Sequence, residues 1–241
     1  MKPALNDDDR EIIDICQSLL EQTLETTSSN TALLAQINNQ LVSHKSNLDS
    51  LFKIDSDEFT QLGIRQCVKF CMNLPGNSDL CTDDRAKLLK YGVYEIALLR
   101  LAYRFNKSTD CIYLTNGSIV NEATLAKAEH FGAVYGRLFF KYCRSFSKFS
   151  LSPLSFSLLC ALKFFANDRP LLIERNKVLQ IQTKYIQLFE FALEQQPNAK
   201  NSPPTLNLAH ALLSLIQLRA IDVLTAERML NIVSTLICEN G

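Results

Sequence analysis

Residues 70–100, FCMNLPGNSDLCTDDRAKLLKYGVYEIALLR, decide the fold. An apolar stripe runs up to Leu74 and stops at Leu74-Pro75-Gly76-Asn77, a helix end followed by a turn. Thr82-Asp83-Asp84 then reads as the cap of a second helix that continues through RAKLLKYGVYEIALLRLAYRF. This helix is apolar over most of its circumference, yet it carries Glu95 and Arg100. A helix apolar on all sides belongs in the middle of a domain, and a charge on it must be paired or must face a cavity. Glu95 therefore needs a cation, and Arg169 in NDRP and Arg219 in IQLRAI are the candidates in apolar surroundings. Arg100 lies on another face, where it would be the one polar anchor of an otherwise apolar pocket.

Working outward toward the N-terminus, Phe59, Leu62, Cys67, Phe70, Cys71 and Leu74 form the stripe of the preceding helix, which starts near Asp55. Residues 25–52 are rich in Ser, Asn and Thr and read as a mobile loop region. Before them, Asn6-Asp7-Asp8-Asp9 is an acidic N-cap to a helix whose apolar face is Ile12, Ile13, Cys16, Leu19, Leu20 and Leu24. Toward the C-terminus, CIYLTNGSIV predicts one hairpin around Asn116-Gly117. Helices are expected near 131–148, 152–166, 172–196 and 204–237, separated by breaks at 150–153, 167–170 and 197–204. The prediction is a single all-α domain over 1–241 with one small β-element.

Composition agrees. Seven glycines in 241 residues leave few tight turns, which disfavours sandwiches and barrels, and 47% apolar residues permit a sizeable core. Twenty-five basic residues balance 25 acidic ones, so the chain is not built to neutralise a phosphate backbone. With no apolar run of membrane-spanning length and no signal-peptide core at MKPALNDDDR, the expectation is a soluble intracellular chain with no membrane partner. The eight cysteines contain no CxxC pair and read as buried reduced thiols rather than a metal site. Nucleotide-loop, hydrolase and zinc-protease motifs are absent, and His44, His130 and His210 are isolated from one another. No catalytic residues and no metal are expected, and the chain reads as a non-enzyme.

The same residues carry a resemblance. FCMNLPGNSDLCTDDRAKLLKYGVYEIALLR resembles the region spanning the third to fifth helices of nuclear receptor ligand-binding domains. ALKFFANDRPLLIERNKVLQIQTKYI is similar to that family's eighth and ninth helices around an Asp-Arg-Pro turn, and LAHALLSLIQLRAIDVLTAERM to its long tenth helix. The resemblance covers about residues 8–235, and the nearest flavour is the subfamily of peroxisome-proliferator, Rev-erb and ecdysone-induced receptors.

The resemblance implies a three-layer antiparallel helical sandwich enclosing a pocket for a small apolar, lipid- or sterol-like ligand. Carried over by position, that pocket takes Phe59, Thr60, Gly63 and Cys67 from the third helix and Ala97, Leu98, Arg100 and Leu101 from the fifth. Tyr113 would come from the hairpin, and Tyr135 with Phe139 from the seventh helix. Glu95 with Arg169 would form the family's internal ion pair. Leu208, His210, Leu215, Gln217 and Arg219 would form a dimer surface for a retinoid X receptor-like partner or a second copy. The coregulator groove would comprise Val68, Met72 and Lys90, with Met72 standing where coactivator-recruiting members have lysine.

No final activation helix and no DNA-binding module are expected within this chain, so DNA would be reached only through a domain outside it. Asn201 replaces the haem histidine of Rev-erb-type members, so no cofactor is implied. The resemblance thus implies a nuclear transcription factor's ligand-binding and dimerisation domain that favours corepressor peptides. The alternative is an orphan domain whose cavity is filled by its own side chains and which acts only through dimerisation.

Overall fold

A computed structural model describes residues 5–24, 56–114, 119–127, 132–196 and 204–223. The mobile-loop expectation for 25–52 and the helical expectation beyond 223 fall outside the described residues, as does the Asn116-Gly117 turn. Eight helices are described: α1 (Asp7–Thr23), α2 (Ser56–Met72), α3 (Thr82–Tyr103), α4 (Glu122–Lys127), α5 (Gly132–Phe146), α6 (Pro153–Phe164), α7 (Arg175–Glu194) and α8 (Pro204–Asp222). They form the three-layer antiparallel helical sandwich. α1 and α2 pack on one side of α3 and α6, α5 and α8 cover α3 from the other side, and α7 lies against α6 and α8.

The middle position of α3 follows from its side chains. Leu88, Val93, Tyr94 and Leu98 point in different directions around the helix, yet all are buried. α6 is buried along most of its length as well; it starts with Pro153 in its first turn and Ser152 as N-cap, whose Oγ accepts the Ser155 N–H at 3.1 Å. α1 begins with a reciprocal box in which Asn6 Oδ1 accepts the Asp9 N–H (2.8 Å) and Asp9 Oδ2 accepts the Asn6 N–H (3.1 Å). Asp9 also pairs with Lys184, tying α1 to α7. The stop after α2 uses Gly76 at φ +88°, where a Cβ would press on Ile181 at 3.1 Å.

Local capping fails at α3. Its N-cap is Cys81, which makes no side-chain cap, and Asp84 serves a different helix. Asp84 accepts the N–H groups of Ile173 (2.8 Å) and Glu174 (2.7 Å) just before α7, while Glu174 Oε2 accepts the Cys81 N–H (2.7 Å). Two helix starts thus cap each other across about 90 residues of chain. This corrects the expected cap at Thr82-Asp83-Asp84, and it explains why α7 starts at Arg175 rather than 172: the preceding amides are held by Asp84 instead of by helical carbonyls.

The β-element is larger than one hairpin. Strands β1 (Phe105–Asn106), β2 (Cys111–Tyr113) and β3 (Ile119–Val120) form an antiparallel sheet with β2 in the centre. Ile112 pairs with both Phe105 and Val120, and these three buried residues put one face of the sheet on the core. β1 is two residues long, too short for alternation to show in the sequence. The six-residue α4 was also unforeseen; Asn121 and Thr124 cap its start, and Gly136 lets its backbone approach α5, since a Cβ there would meet Ala126 N and Glu122 O at 3.2 Å.

Candidate functional site

Glu95 is the centre of the largest buried charge cluster among the described residues, and its side chain is 0% exposed. Lys163 Nζ from α6 reaches Oε1 at 2.8 Å, and Arg169 Nη2, from the turn after α6, contacts Oε2. Arg219 Nε from α8 lies 3.3 Å from Oε1, while the same guanidinium holds Asp168. Burial disfavours the Glu95 carboxylate, but Lys163 and Arg169 outweigh it and hold its pKa below the usual range. Burial pushes Lys163 down to about 8, with Glu95 opposing the shift. Asp222, at the end of α8, is pushed up to about 6 by burial and by the charge of Glu95. Three elements, α3, α6 with its following turn, and α8, therefore meet at one carboxylate. Both candidate arginines reach it, and so does Lys163, which the sequence did not single out.

The residues assigned to the pocket fall into three groups. Cys67, Leu98, Arg100, Tyr135 and Phe139 are buried; Gly63, Ala97, Leu101 and Tyr113 are half-buried. The side chains of Phe59 and Thr60, both in α2, lie outside the described residues. Among the described residues, no heavy atom lies within 4 Å of where a Gly63 Cβ would stand. Both terminal nitrogens of Arg100 are engaged by α1. Its Nη1 donates to the Thr23 carbonyl (3.2 Å), its Nη2 to Thr23 Oγ1 (2.9 Å), and its guanidinium covers the Phe70 ring at 4.7 Å. The anchor fastens the last turn of α1 to the middle layer.

Tyr113 likewise turns its hydroxyl to Thr109 Oγ1 at 3.2 Å. Tyr135 stacks with Phe139, and its hydroxyl lies 3.1 Å from that of Tyr94, a buried polar pair the sequence reading missed. A tyrosine one residue before Glu95 on a helix buried all round was the available signal. Burial raises the Tyr135 hydroxyl well above its ordinary value, with Tyr94 adding to the shift.

The groove residues lie on α2 and α3: Val68 is buried, Met72 is 43% exposed at the last turn of α2, and Lys90 is exposed with its ammonium 5.7 Å from the Tyr91 ring. On α8, Leu215 is only 6% exposed and belongs to the core, while Leu208 is half-buried against it. Arg219 is engaged by Glu95 and Asp168. Helical phase turns Leu213 (51% exposed), Ile216 (68%) and Val223 outward instead, beside the exposed His210 and Gln217. The outward apolar stripe therefore runs through Leu213 and Ile216, not Leu215. Seven described cysteines carry free thiols, five of them buried. Cys81, Asp84 and Glu174 bring three potential ligand atoms within 4.8 Å of one another, but their carboxylates are occupied by the reciprocal helix caps and lie beside Lys87 and Lys177. No helix among the described residues is long and apolar enough to cross a membrane.

A helical sandwich with a three-stranded corner sheet and an internal Glu95 cluster defines a receptor-type regulatory domain, and comparison with known proteins gives the family. A family model described as the ligand-binding domain of nuclear hormone receptor matches residues 43–230, and the chain belongs to that family. Among curated relatives, it is 29% identical over 177 residues to nuclear hormone receptor E75 of Metapenaeus ensis, covering 73% of this chain and 28% of the relative. It is 27% identical over 132 residues to peroxisome proliferator-activated receptor gamma of Xenopus laevis, covering 55% of this chain and 28% of that protein. The chain thus spans under a third of the length of either relative.

Proposed function

We propose that this chain is the regulatory domain of a nuclear transcription factor, and that its coregulator groove favours corepressor helices over LxxLL coactivator helices. Met72 carries the proposal. It stands exposed at the end of α2, where coactivator-recruiting members of the family present a lysine. A lysine ammonium there caps the C-terminal carbonyls of a docked helix; a thioether offers no donor for them. Buried Val68 supplies apolar floor and Lys90 a flanking cation, so apolar helix-in-groove docking persists without that cap. The outward stripe of Leu213 and Ile216 supports pairing through α8 with a retinoid X receptor-like partner or a second copy. The interior would take a small apolar ligand, and DNA would be reached through another part of the protein. Replacing Met72 with lysine tests the groove: the gain expected for LxxLL peptides is about 0.3–1 kcal/mol, roughly two- to fivefold in affinity. Unchanged LxxLL binding in Met72→Lys would refute it.

One observation favours a second reading, in which the domain works through dimerisation alone. Arg100, the pocket's implied anchor, already gives both terminal nitrogens to Thr23. Native mass spectrometry of the purified chain separates the two readings: a co-purified lipid supports the ligand-binding one, a bare chain the second.

A further inference from the structure

A pocket of about 300 Å³ opens where the end of α3 meets β1 and the end of α5, away from the groove and from the Glu95 cluster. Its floor is aromatic: Tyr103, Phe105 and Phe146. These rings are locked from behind. Tyr103 stacks on Phe156 of α6 with centroids 3.9 Å apart, Phe146 meets the same ring edge-on at 6.4 Å, and Phe105 meets Phe140 edge-on at 6.1 Å. A floor held this way needs no rearrangement to receive another ring, which removes much of the ordering cost of binding.

The rim is polar and singly charged. Lys107 is the one ionised residue of the lining; it is exposed, and among the described residues its ammonium makes no hydrogen bond or ion pair. Ser150 lies on the same rim at φ +46°, a left-handed conformation that is unfavourable for a residue with a side chain, and its hydroxyl is likewise unengaged. Ser147, beside it, already gives its hydroxyl proton to the Arg144 carbonyl at 3.0 Å. The rim therefore offers two donors, one cationic, above an angled aromatic floor in which Tyr103 presents a face and Phe146 is tilted against it, while a volume near the lower bound for ligand pockets limits the occupant to one or two rings. The geometry points to a second ligand site, separate from the family's interior pocket, for a small planar aromatic carboxylate. The ring lies on the face of Tyr103 turned away from Phe156, with Phe146 inclined against its edge, and the carboxylate accepts from Lys107 Nζ and Ser150 Oγ.

Titrating the isotope-labelled chain with naphthoate, followed by two-dimensional amide NMR, tests the site. The expected shifts map to residues 102–107 and 146–151. Lys107→Gln, an exposed substitution that leaves the fold intact, is expected to weaken naphthoate about tenfold through loss of a charge-assisted bond. Neutral naphthalenemethanol should bind wild type and Lys107→Gln equally. Ser150→Gly relieves the left-handed backbone, so it should raise thermal stability while weakening naphthoate about threefold. Shifts confined to central-layer residues such as Cys67, Leu98 and Tyr135, no shifts at all, or unchanged affinity in Lys107→Gln would each overturn the proposal.

Discussion

Glu95→Gln removes the one carboxylate that both Lys163 and Arg169 touch, while keeping the shape of the side chain. The side chains of Lys163 and Arg169 are 5% and 6% exposed, so solvent cannot replace the lost partner. Breaking a buried pair from one side costs about 3–5 kcal/mol, because the remaining charge is left uncompensated. Here the damage has an outlet. Lys163 already titrates near 8 in the folded protein, and without Glu95 its pKa falls further, so at neutral pH it sheds its proton.

The sign of the pH dependence follows. The unfolded chain keeps Lys163 protonated up to about pH 10. Between the variant's lowered pKa and 8, the folded variant lacks a proton that its unfolded chain holds, so its stability rises with pH, whereas the wild-type value is flat with respect to this group. The gap between them should narrow by up to about 1.4 kcal/mol per pH unit on approaching pH 8, then level off. Urea denaturation followed by far-ultraviolet circular dichroism from pH 6 to 9 measures both quantities. A loss under about 1 kcal/mol, or a gap independent of pH, would refute the buried-hub reasoning. Arg169→Leu should cost less than Glu95→Gln, since Lys163 and Arg219 still face the carboxylate.

Asp222→Asn should stabilise the chain by about 1 kcal/mol at pH 7 after allowance for solvent screening, because the folded carboxyl holds its proton up to about 6 while the unfolded one ionises near 4. The gain should vanish below pH 4, as chemical denaturation at the two pH values will show. Ile216→Glu should abolish self- or partner association in sedimentation measurements without moving Tm, whereas Leu215→Glu should unfold the domain by burying a lone carboxylate. The reverse pattern would put the interface elsewhere. Thr23→Val keeps the shape but removes the hydroxyl that Arg100 Nη2 uses; a loss of about 1–2 kcal/mol is expected, and an unaltered Tm would show that the clasp is idle.

The central helix was legible because its pattern is local: an apolar circumference interrupted by Glu95 and Arg100 can be read from 22 residues. The same signal could not distinguish a cation facing a cavity from one clasping a hydroxyl 77 residues away, which is what Arg100 does. Lys163 is not legible as a partner, since a lysine in ALKFF is equally compatible with a stem lying on apolar surface and its head in water. Asp84 misled for the opposite reason. A carboxylate in a first turn looks like a cap for its own helix, and nothing in TDDRAK records that the amides of Ile173 and Glu174 will arrive beside it. Family position puts Leu215 on the dimer surface, whereas helical phase against the core turns it inward.

Peptide binding to the unmodified chain addresses the functional account most directly. Fluorescence anisotropy with a labelled corepressor helix and a labelled LxxLL helix compares the two occupants on one groove. Met72 denies the carbonyl cap to both, but the longer apolar corepressor helix depends on it less. The account predicts at least about tenfold tighter corepressor binding, a difference of about 1.4 kcal/mol. Equal or tighter binding of the LxxLL helix would contradict it.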